Sequence, residues 1–246
     1  MNKLKFTIIT VSYNAESCIE GTIKSVLIQS YNNIEYIIID GGSTDNTLKI
    51  INKYKKEIDI IVSEPDQGIY DAMNKGLNLA KGHFVNFLNA GDTFYNNEVL
   101  SLVSKYSSNR IKIISGDFNL ISPNNKSKKI KTKKITWKHF KKDFYACHQA
   151  IFIHLSIVSF YDVKYTIKAD YKWVLDALSK IEEDQVIKIN QSLVNYDQNG
   201  FSSQNSFNNL NELMRLHKNY FGTLRVLLNL DVYALRLLRD LKSKFI

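Results

Sequence analysis

The sequence predicts an α/β fold, a mostly parallel sheet flanked by helices. Three observations carry that expectation. Apolar runs rich in β-branched residues recur at Phe6 to Ser12, Glu35 to Asp40, Ile58 to Ser63 and Phe84 to Leu88, with helical periodicities between them. The runs are too uniformly apolar to leave one face in water, so they read as strands covered on both sides. Polar residues gather just past each run, where open parallel sheets collect their ligands.

The elements follow in order. After the first strand, Ile19, Ile23, Val26 and Leu27 mark one face of a helix. Beyond the second strand, Ser43-Thr44-Asp45 offers N-cap chemistry for a helix carrying Leu48, Ile51 and Tyr54. Ile69 to Ala80 is the next helix. Past Asp92 the pattern loosens. Ile111 to Ile121 supplies one or two strands, a lysine-rich hairpin or loop follows, and Tyr145 to Phe160 is mostly apolar. Ala169 to about Lys180 is a short helix, and Val186 to Tyr196 is a strand. Residues 208–246 read as a basic amphipathic helical extension, with Leu224, Leu227, Leu228, Leu235, Leu238 and Leu241 beside Arg225, Arg236, Arg239 and Lys242.

Composition narrows the class. With 246 residues, 44 % hydrophobic and 23 % charged, the chain has material for one good-sized core, which excludes a disordered protein. The two cysteines, Cys18 and Cys147, form neither a disulfide scaffold nor a zinc site, which favours a reducing compartment. No apolar run approaches the ~18 residues of a membrane span, and the N-terminal run is too short for a signal peptide. A cytoplasmic location is expected. The 33 basic residues exceed the 24 acidic ones by nine, and nine lysines lie between Lys126 and Lys142 with no acid among them. That segment therefore carries the whole excess, and the rest of the chain is neutral. Nucleic acid, an anionic membrane and a phosphate-bearing substrate are its candidate partners, against the plain alternative of a solvated hairpin.

The strand ends present Ser12-Tyr13-Asn14, Asp40-Gly41-Gly42-Ser43, Ser63-Glu64-Pro65-Asp66 and Asn89-Ala90-Gly91-Asp92. No Gly-x-Gly-x-x-Gly follows the first strand and no Walker Gly-Lys-Ser/Thr occurs, which disfavours dinucleotide oxidoreductases and P-loop enzymes. An aromatic ring suits stacking on a base, and a carboxylate past an apolar strand suits a hard divalent cation on a diphosphate. Each residue alone reads as a turn or cap; four such groups on one sheet edge point to a site. Asp71, Asn74 and Lys75 share a helix face, either for diphosphate and sugar or as a solvated surface. His148 and Gln149 are candidates for the acceptor or the sugar, with a core histidine as the alternative. Gly200-Phe201-Ser202-Ser203 reads as a loop able to close over a donor, or as an ordinary turn.

The runs Ile-Ile-Thr-Val-Ser-Tyr-Asn (8–14) and Ile-Ile-Asp-Gly-Gly-Ser-Thr-Asp-Asn-Thr (38–47) resemble the opening of inverting family 2 glycosyltransferases. Ser63 to Gly76, Phe87 to Asp92, Cys147 to Phe152 and Ala169-Asp170-Tyr171 extend the likeness to the capsule, colanic-acid and O-antigen branch. The resemblance implies the GT-A fold, a Rossmann-like sheet, with a glycosyltransferase domain over 1–207. Its nucleotide-binding half would be 1–95 and its acceptor half 96–207. It implies sugar transfer with inversion from a nucleotide-sugar, usually a UDP-sugar carrying a hexose or N-acetylhexosamine, to a saccharide or lipid-linked saccharide. By position, Val11 and Tyr13 would line the nucleoside with Asn14 and Asp40 nearby, and Asp92, after Asn89, would ligate Mn²⁺ or Mg²⁺. Asp170 would be the general base. The chain departs from the family in two places. Gly41 stands where a second acid commonly holds uracil, leaving base recognition to Asp40, and Asp92 is the only acid of the metal motif, which implies weak metal affinity without donor.

Two other classes compete. A nucleic-acid binder would use Lys126–Lys142, but only Trp137 and Phe140 interleave as aromatics and no nucleic-acid motif occurs, so no nucleic-acid partner is expected. A sugar nucleotidyltransferase would need a glycine-rich basic loop after the first strand, and Ser12 to Glu16 is not one. The acceptor's lipid and the two basic segments together lead us to expect peripheral contact with the inner face of the plasma membrane. The C-terminal leucines could equally pack on the core or form a homodimer.

Overall fold

The computed structural model describes residues 4–122, 124, 126–141, 147–197 and 206–235, and only the backbone of 206–209. In chain order the elements are β1 (Phe6–Ser12), α1 (Ile19–Leu27), β2 (Ile34–Asp40), α2 (Thr47–Lys53), β3 (Ile60–Ser63) and α3 (Ile69–Leu79). Then come β4 (Phe84–Phe87), β5 (Thr93–Phe94), α4 (Val99–Tyr106), β6 (Ile113–Ile121), β7 (Ser127–Ile130) and α5 (Trp137–Phe140). The chain continues through β8 (Ile151–His154), α6 (Ala169–Leu178), β9 (Val186–Asp197), α7 (Ser206–Phe221) and α8 (Thr223–Leu228). One sheet runs β3-β2-β1-β4-β8-β6-β9-β5, with β7 on β6. Strands β1 to β4 are mutually parallel, and β8 enters antiparallel between β4 and β6.

Period-two alternation splits the strand side chains between two apolar layers. Ile9, Val11, Ile37 and Ile39 pack with Met73 and Leu77 of α3, Trp173 of α6 and Leu213 of α7. Phe6, Ile8 and Ile38 pack with Ile19, Ile23 and Val26 of α1, and with Phe152 of β8. Helices thus cover both faces, and this is why the strands carry no polar face. Each layer draws on residues from both sides of position 95.

Most boundaries lie within a residue or two of the sequence reading, and two of the differences have a local reason. The third strand starts at Ile60 rather than Ile58, because the Asp59 carboxylate turns back to accept the Tyr36 N–H at 2.8 Å. Helix α2 starts at Thr47. Asp45 accepts the Thr47 N–H at 2.9 Å, and the Glu16 carboxylate accepts that of Asn46 at 2.8 Å.

The lysine segment is a hairpin arm. Buried Asp117 on β6 holds it through Lys129 Nζ at 3.6 Å and the Thr132 N–H at 3.0 Å, with Lys188 Nζ at 2.6 Å completing the charge balance. The arm then docks on the C-terminal helices. The Lys141 carbonyl accepts from Arg225 Nε at 2.7 Å and Asn229 Nδ2 at 2.8 Å, and the Trp137 ring meets Phe221 edge-on at 5.5 Å. The expected extension is broken at Gly222, which adopts φ +83°. Leu210, Leu213 and Leu216 before the break are buried, whereas Leu224, Leu227, Leu228, Leu230 and Leu235 after it are exposed. Lys142, the Gly200–Ser203 loop, Arg236, Leu238, Arg239, Leu241 and Lys242 lie outside the described residues. No helix among the described residues is long and apolar enough to cross a membrane.

Candidate active site

Several residues expected to touch a donor hold the loops at the strand ends. Asn14 sits at φ +47°; its N–H donates to Ser43 Oγ at 2.8 Å and its Oδ1 accepts the Thr44 N–H at 2.9 Å. Asp40 has no exposed surface. Its carboxylate accepts from Ser12 Oγ (3.2 Å), Ser43 N–H (3.0 Å), Ser43 Oγ (2.5 Å) and Ser63 Oγ (2.8 Å). A buried carboxylate is tolerable only when so satisfied, and Asp40 joins three strand ends. Val11 is likewise buried within β1, whereas the Tyr13 ring is 64 % exposed.

The same holds on α3. Asp71 accepts the Gln67 N–H at 3.0 Å and stabilises the start of its own helix. Lys75 bonds Glu64 at 2.9 Å and the Pro65 carbonyl at 2.8 Å. Asn74 makes a double bond-pair with the Tyr161 main chain, donating to its carbonyl at 3.0 Å and accepting its N–H at 2.7 Å. These three brace the Ser63–Gly68 loop and the segment before α6.

Asp92 is 4 % exposed. One carboxylate oxygen accepts the Asp197 N–H at 2.9 Å and the other accepts Gln149 Nε2 at 2.9 Å. Burial pushes its carboxyl up to about 7, opposed by the Asp197 N–H, His148 and Gln149. Gln149, expected on the acceptor, is itself buried; its Oε1 accepts the Cys147 thiol at 3.0 Å, so it lies behind Asp92 as a clamp. Asp197, at the end of β9, carried no sequence signal, because the contact with Asp92 is made by its main-chain N–H.

The donor set fits a divalent cation shared with a ligand. Each Asp92 oxygen keeps a lone-pair direction, and the buried Asn89 Oδ1 has no hydrogen-bond partner. Among the described residues no three His, Cys, Asp or Glu side chains converge on a metal site. A hard cation here needs phosphate oxygens and water to complete its shell, as Mg²⁺ commonly does.

Asp170 lies in the first turn of α6. One carboxylate oxygen accepts the Tyr171 N–H at 2.7 Å, and the other lies 3.3 Å from His148 Nδ1. Burial alone would raise this carboxyl, but the hydrogen bond and charge of His148, with Lys168 and the Tyr171 N–H, hold it below the ordinary carboxylate range. It is ionised at neutral pH and remains partly open to solvent. His148 Nε2 is buried without a partner, and the ring favours the ionised form of both Asp92 and Asp170. One imidazole thus acts on two carboxylates, one held below the ordinary range and the other raised by burial.

The sequence profile described as Glycosyl transferase family 2 matches residues 7–162. The UDP-Glc:alpha-D-GlcNAc-diphosphoundecaprenol beta-1,3-glucosyltransferase WfgD of Escherichia coli is 28 % identical over 218 residues, 87 % of this chain and 85 % of that protein. Among solved structures, the S. aureus TarS fragment 1-349 in complex with UDP-GlcNAc superposes with a TM-score of 0.66 at 18 % identity. That superposition covers 88 % of this chain, and this chain spans 66 % of the fragment. The mannosyltransferase PcManGT from Pyrobaculum calidifontis, in complex with GDP-Man and Mn2+, gives 0.60 at 16 % identity, over 99 % of this chain and 76 % of that one. At these identities the two structures speak for the fold, a mostly parallel GT-A-like sheet flanked by helices.

Proposed function

The chain belongs to glycosyl transferase family 2, and from that premise we propose that it moves a hexose or N-acetylhexosamine from a UDP-sugar, with inversion, to a hydroxyl of a lipid-linked or oligosaccharide acceptor. Surface polysaccharide synthesis is the setting this reading implies. At the coarser level the chain is a nucleotide-sugar-dependent glycosyltransferase. The observation that supports the finer reading best is the Asp170–His148 pair, whose imidazole also acts on Asp92. An acceptor hydroxyl attacks the anomeric carbon while Asp170 takes its proton. The bond from that carbon to the diphosphate oxygen breaks, and its electron pair leaves with the nucleoside diphosphate. A base that stays ionised beside a histidine suits this task. One direct displacement inverts the centre, whereas retention would need a second carboxylate as nucleophile.

Asp92 and Asn89 would hold a Mn²⁺ or Mg²⁺ ion together with the donor diphosphate. That ion would offset the negative charge growing on the leaving group. Gln149 and the Asp197 N–H orient the Asp92 carboxylate for it.

The E. coli relative's name specifies a diphosphoundecaprenol acceptor, and such an acceptor is met at a bilayer surface. The lysine arm and α8 lie together, and Leu224, Leu227, Leu228 and Leu230 are exposed beside them. Apolar side chains rimmed by cations suit peripheral contact with an anionic leaflet.

The test is a donor panel of UDP- and GDP-sugars, with Mn²⁺ or Mg²⁺ and a synthetic lipid-diphosphate-GlcNAc acceptor. Transfer from a UDP-sugar, with the product's anomeric configuration opposite to the donor's, is the expected result. A retained configuration, or transfer from GDP-sugars alone, would overturn it.

A further inference from the structure

Three groups meet at the carboxyl ends of β1 and β2. The Tyr13 ring is 64 % exposed and has a face free for stacking. Gly41 lies beside it, and a Cβ at that position would stand 3.4 Å from Tyr13 Cδ2. That Cβ would also collide with Asp66 Oδ2, so the Asp66 carboxylate already fills the volume a side chain at 41 would take. The result is a ring wall, a bare backbone floor and a carboxylate at the edge.

The carboxylate is aimed, not swinging. Its Oδ1 accepts the Gly68 N–H at 2.8 Å. The loop carrying it is tied by Lys75 to Glu64 and the Pro65 carbonyl, and by Asp71 to the Gln67 N–H. Oδ2 has no hydrogen-bond partner among the described residues.

A flat heterocycle stacked on Tyr13 would turn its edge to that single free oxygen. Uracil meets it with one imide N–H between two carbonyls. Guanine presents two adjacent donors, which call for both oxygens of a carboxylate, and one is spent on Gly68. Cytosine presents its amino donor beside an unprotonated ring nitrogen, and a carboxylate centred on that edge meets the nitrogen's lone pair and is repelled. We propose that Asp66, 25 positions away from Gly41 in the chain, is the residue that reads the donor's nucleobase and selects uracil. The inference rests on the UDP-sugar reading above and adds the residue that recognises the base.

The test is calorimetric titration of UDP, GDP and CDP into the full chain and its variants, with melting curves as a folding control. Wild type is expected to bind UDP roughly tenfold or more tighter than GDP or CDP, the scale set by a hydrogen bond to a charged group. Asp66→Ala should weaken UDP by about tenfold. Asp66→Asn keeps the shape but offers an N–H in place of the acceptor, so UDP weakens while CDP tightens. Gly41 does not have a positive φ, so a side chain is tolerated there once space exists. Gly41→Asp should therefore weaken UDP in the wild-type background and restore it when combined with Asp66→Ala. Unchanged UDP affinity in Asp66→Ala overturns the assignment while leaving the UDP-sugar reading intact, whereas a wild-type preference for GDP overturns the assignment and the UDP part of that reading together. A wild type that binds none of the three overturns both.

Discussion

Replacing Asp170 with Asn separates the chemical step from everything else the site does. The amide keeps the side chain's shape and can still accept the Tyr171 N–H now made at 2.7 Å. It turns an NH₂ or a neutral oxygen toward His148, which lies 3.3 Å from the carboxylate. What it cannot do is take a proton. General-base catalysis contributes about 10²- to 10⁴-fold, so kcat should fall by that factor, or about 2.7–5.4 kcal/mol of barrier. The donor side of the site is built from other residues, so the donor Kd should stay within about twofold of wild type. His148→Gln supplies a second readout. Without the imidazole, burial dominates the Asp170 carboxyl, its pKa rises, and the acid limb of the kcat profile moves to higher pH. Nucleotide release in a coupled assay measures kcat, and calorimetry measures the donor. A kcat for Asp170→Asn within about tenfold of wild type would remove Asp170 as the base.

Three further outcomes are expected. Co-sedimentation with phosphatidylserine-containing vesicles should fall as salt rises, at about 1 kcal/mol per basic residue near the surface, and Leu227→Glu with Leu228→Glu should weaken it without moving Tm; absence of binding at low salt, with a dimer on sizing, would leave the leucine face to a second copy. Gly76→Ala puts a methyl 2.6 Å from Ile9 Cγ2 at the α3–β1 contact, and overpacking of about 1–3 kcal/mol should exceed the helix-propensity gain of about 1 kcal/mol, so Tm falls; a rise would mean that Ile9 yields freely. His154 Nδ1 accepts from Ser156 N–H and Oγ, and burial, Lys112 and His83 depress its pKa to about 4. The unfolded ring titrates near about 6.5, so this contribution is full above that pH and is lost as pH falls toward 4. His154→Gln should flatten the Tm-against-pH curve there, and parallel curves would refute the assignment.

How legible each part was depends on whether it is local in the chain. Strands β1 to β4 and helix α3 were readable because burial on both faces writes itself as continuous apolar runs. The two-residue strand β5 was not, since Thr93–Phe94 has no periodicity and is fixed only by pairing with Val194 and Asn195. At the site, residue type was readable and its task was not. Asp71 and Lys75 share a helix face as the spacing implies, 3.8 Å apart, yet the Gln67 N–H and Glu64 claim them, and those partners are invisible to a helical wheel. The Asp170–His148 pair spans 22 positions and the Asp92–Asp197 contact spans 105, so neither leaves a pattern in any short window.

Four aspartates near the strand ends show why residue type underdetermines role. Asp40 takes four hydrogen bonds from Ser12, Ser43 and Ser63, so nothing remains for a ligand. Asp92 takes one bond on each oxygen in a buried setting, which leaves lone pairs but makes its negative charge costly, as its raised pKa records. A cation would remove that cost, which is the physical reason a single acid can serve there. Asp66 spends one oxygen and keeps one free at the rim, the condition for reading a single donor on a base edge. Asp170 is held ionised by His148 with solvent access, the condition for receiving a proton. The four tasks differ by burial and by the number of donors already supplied. Moving one donor therefore converts one task into another: adding a second N–H to Asp66 should weaken its hold on a base edge, and removing the His148 ring from Asp170 should shift the pH at which it can receive a proton, each without disturbing the fold.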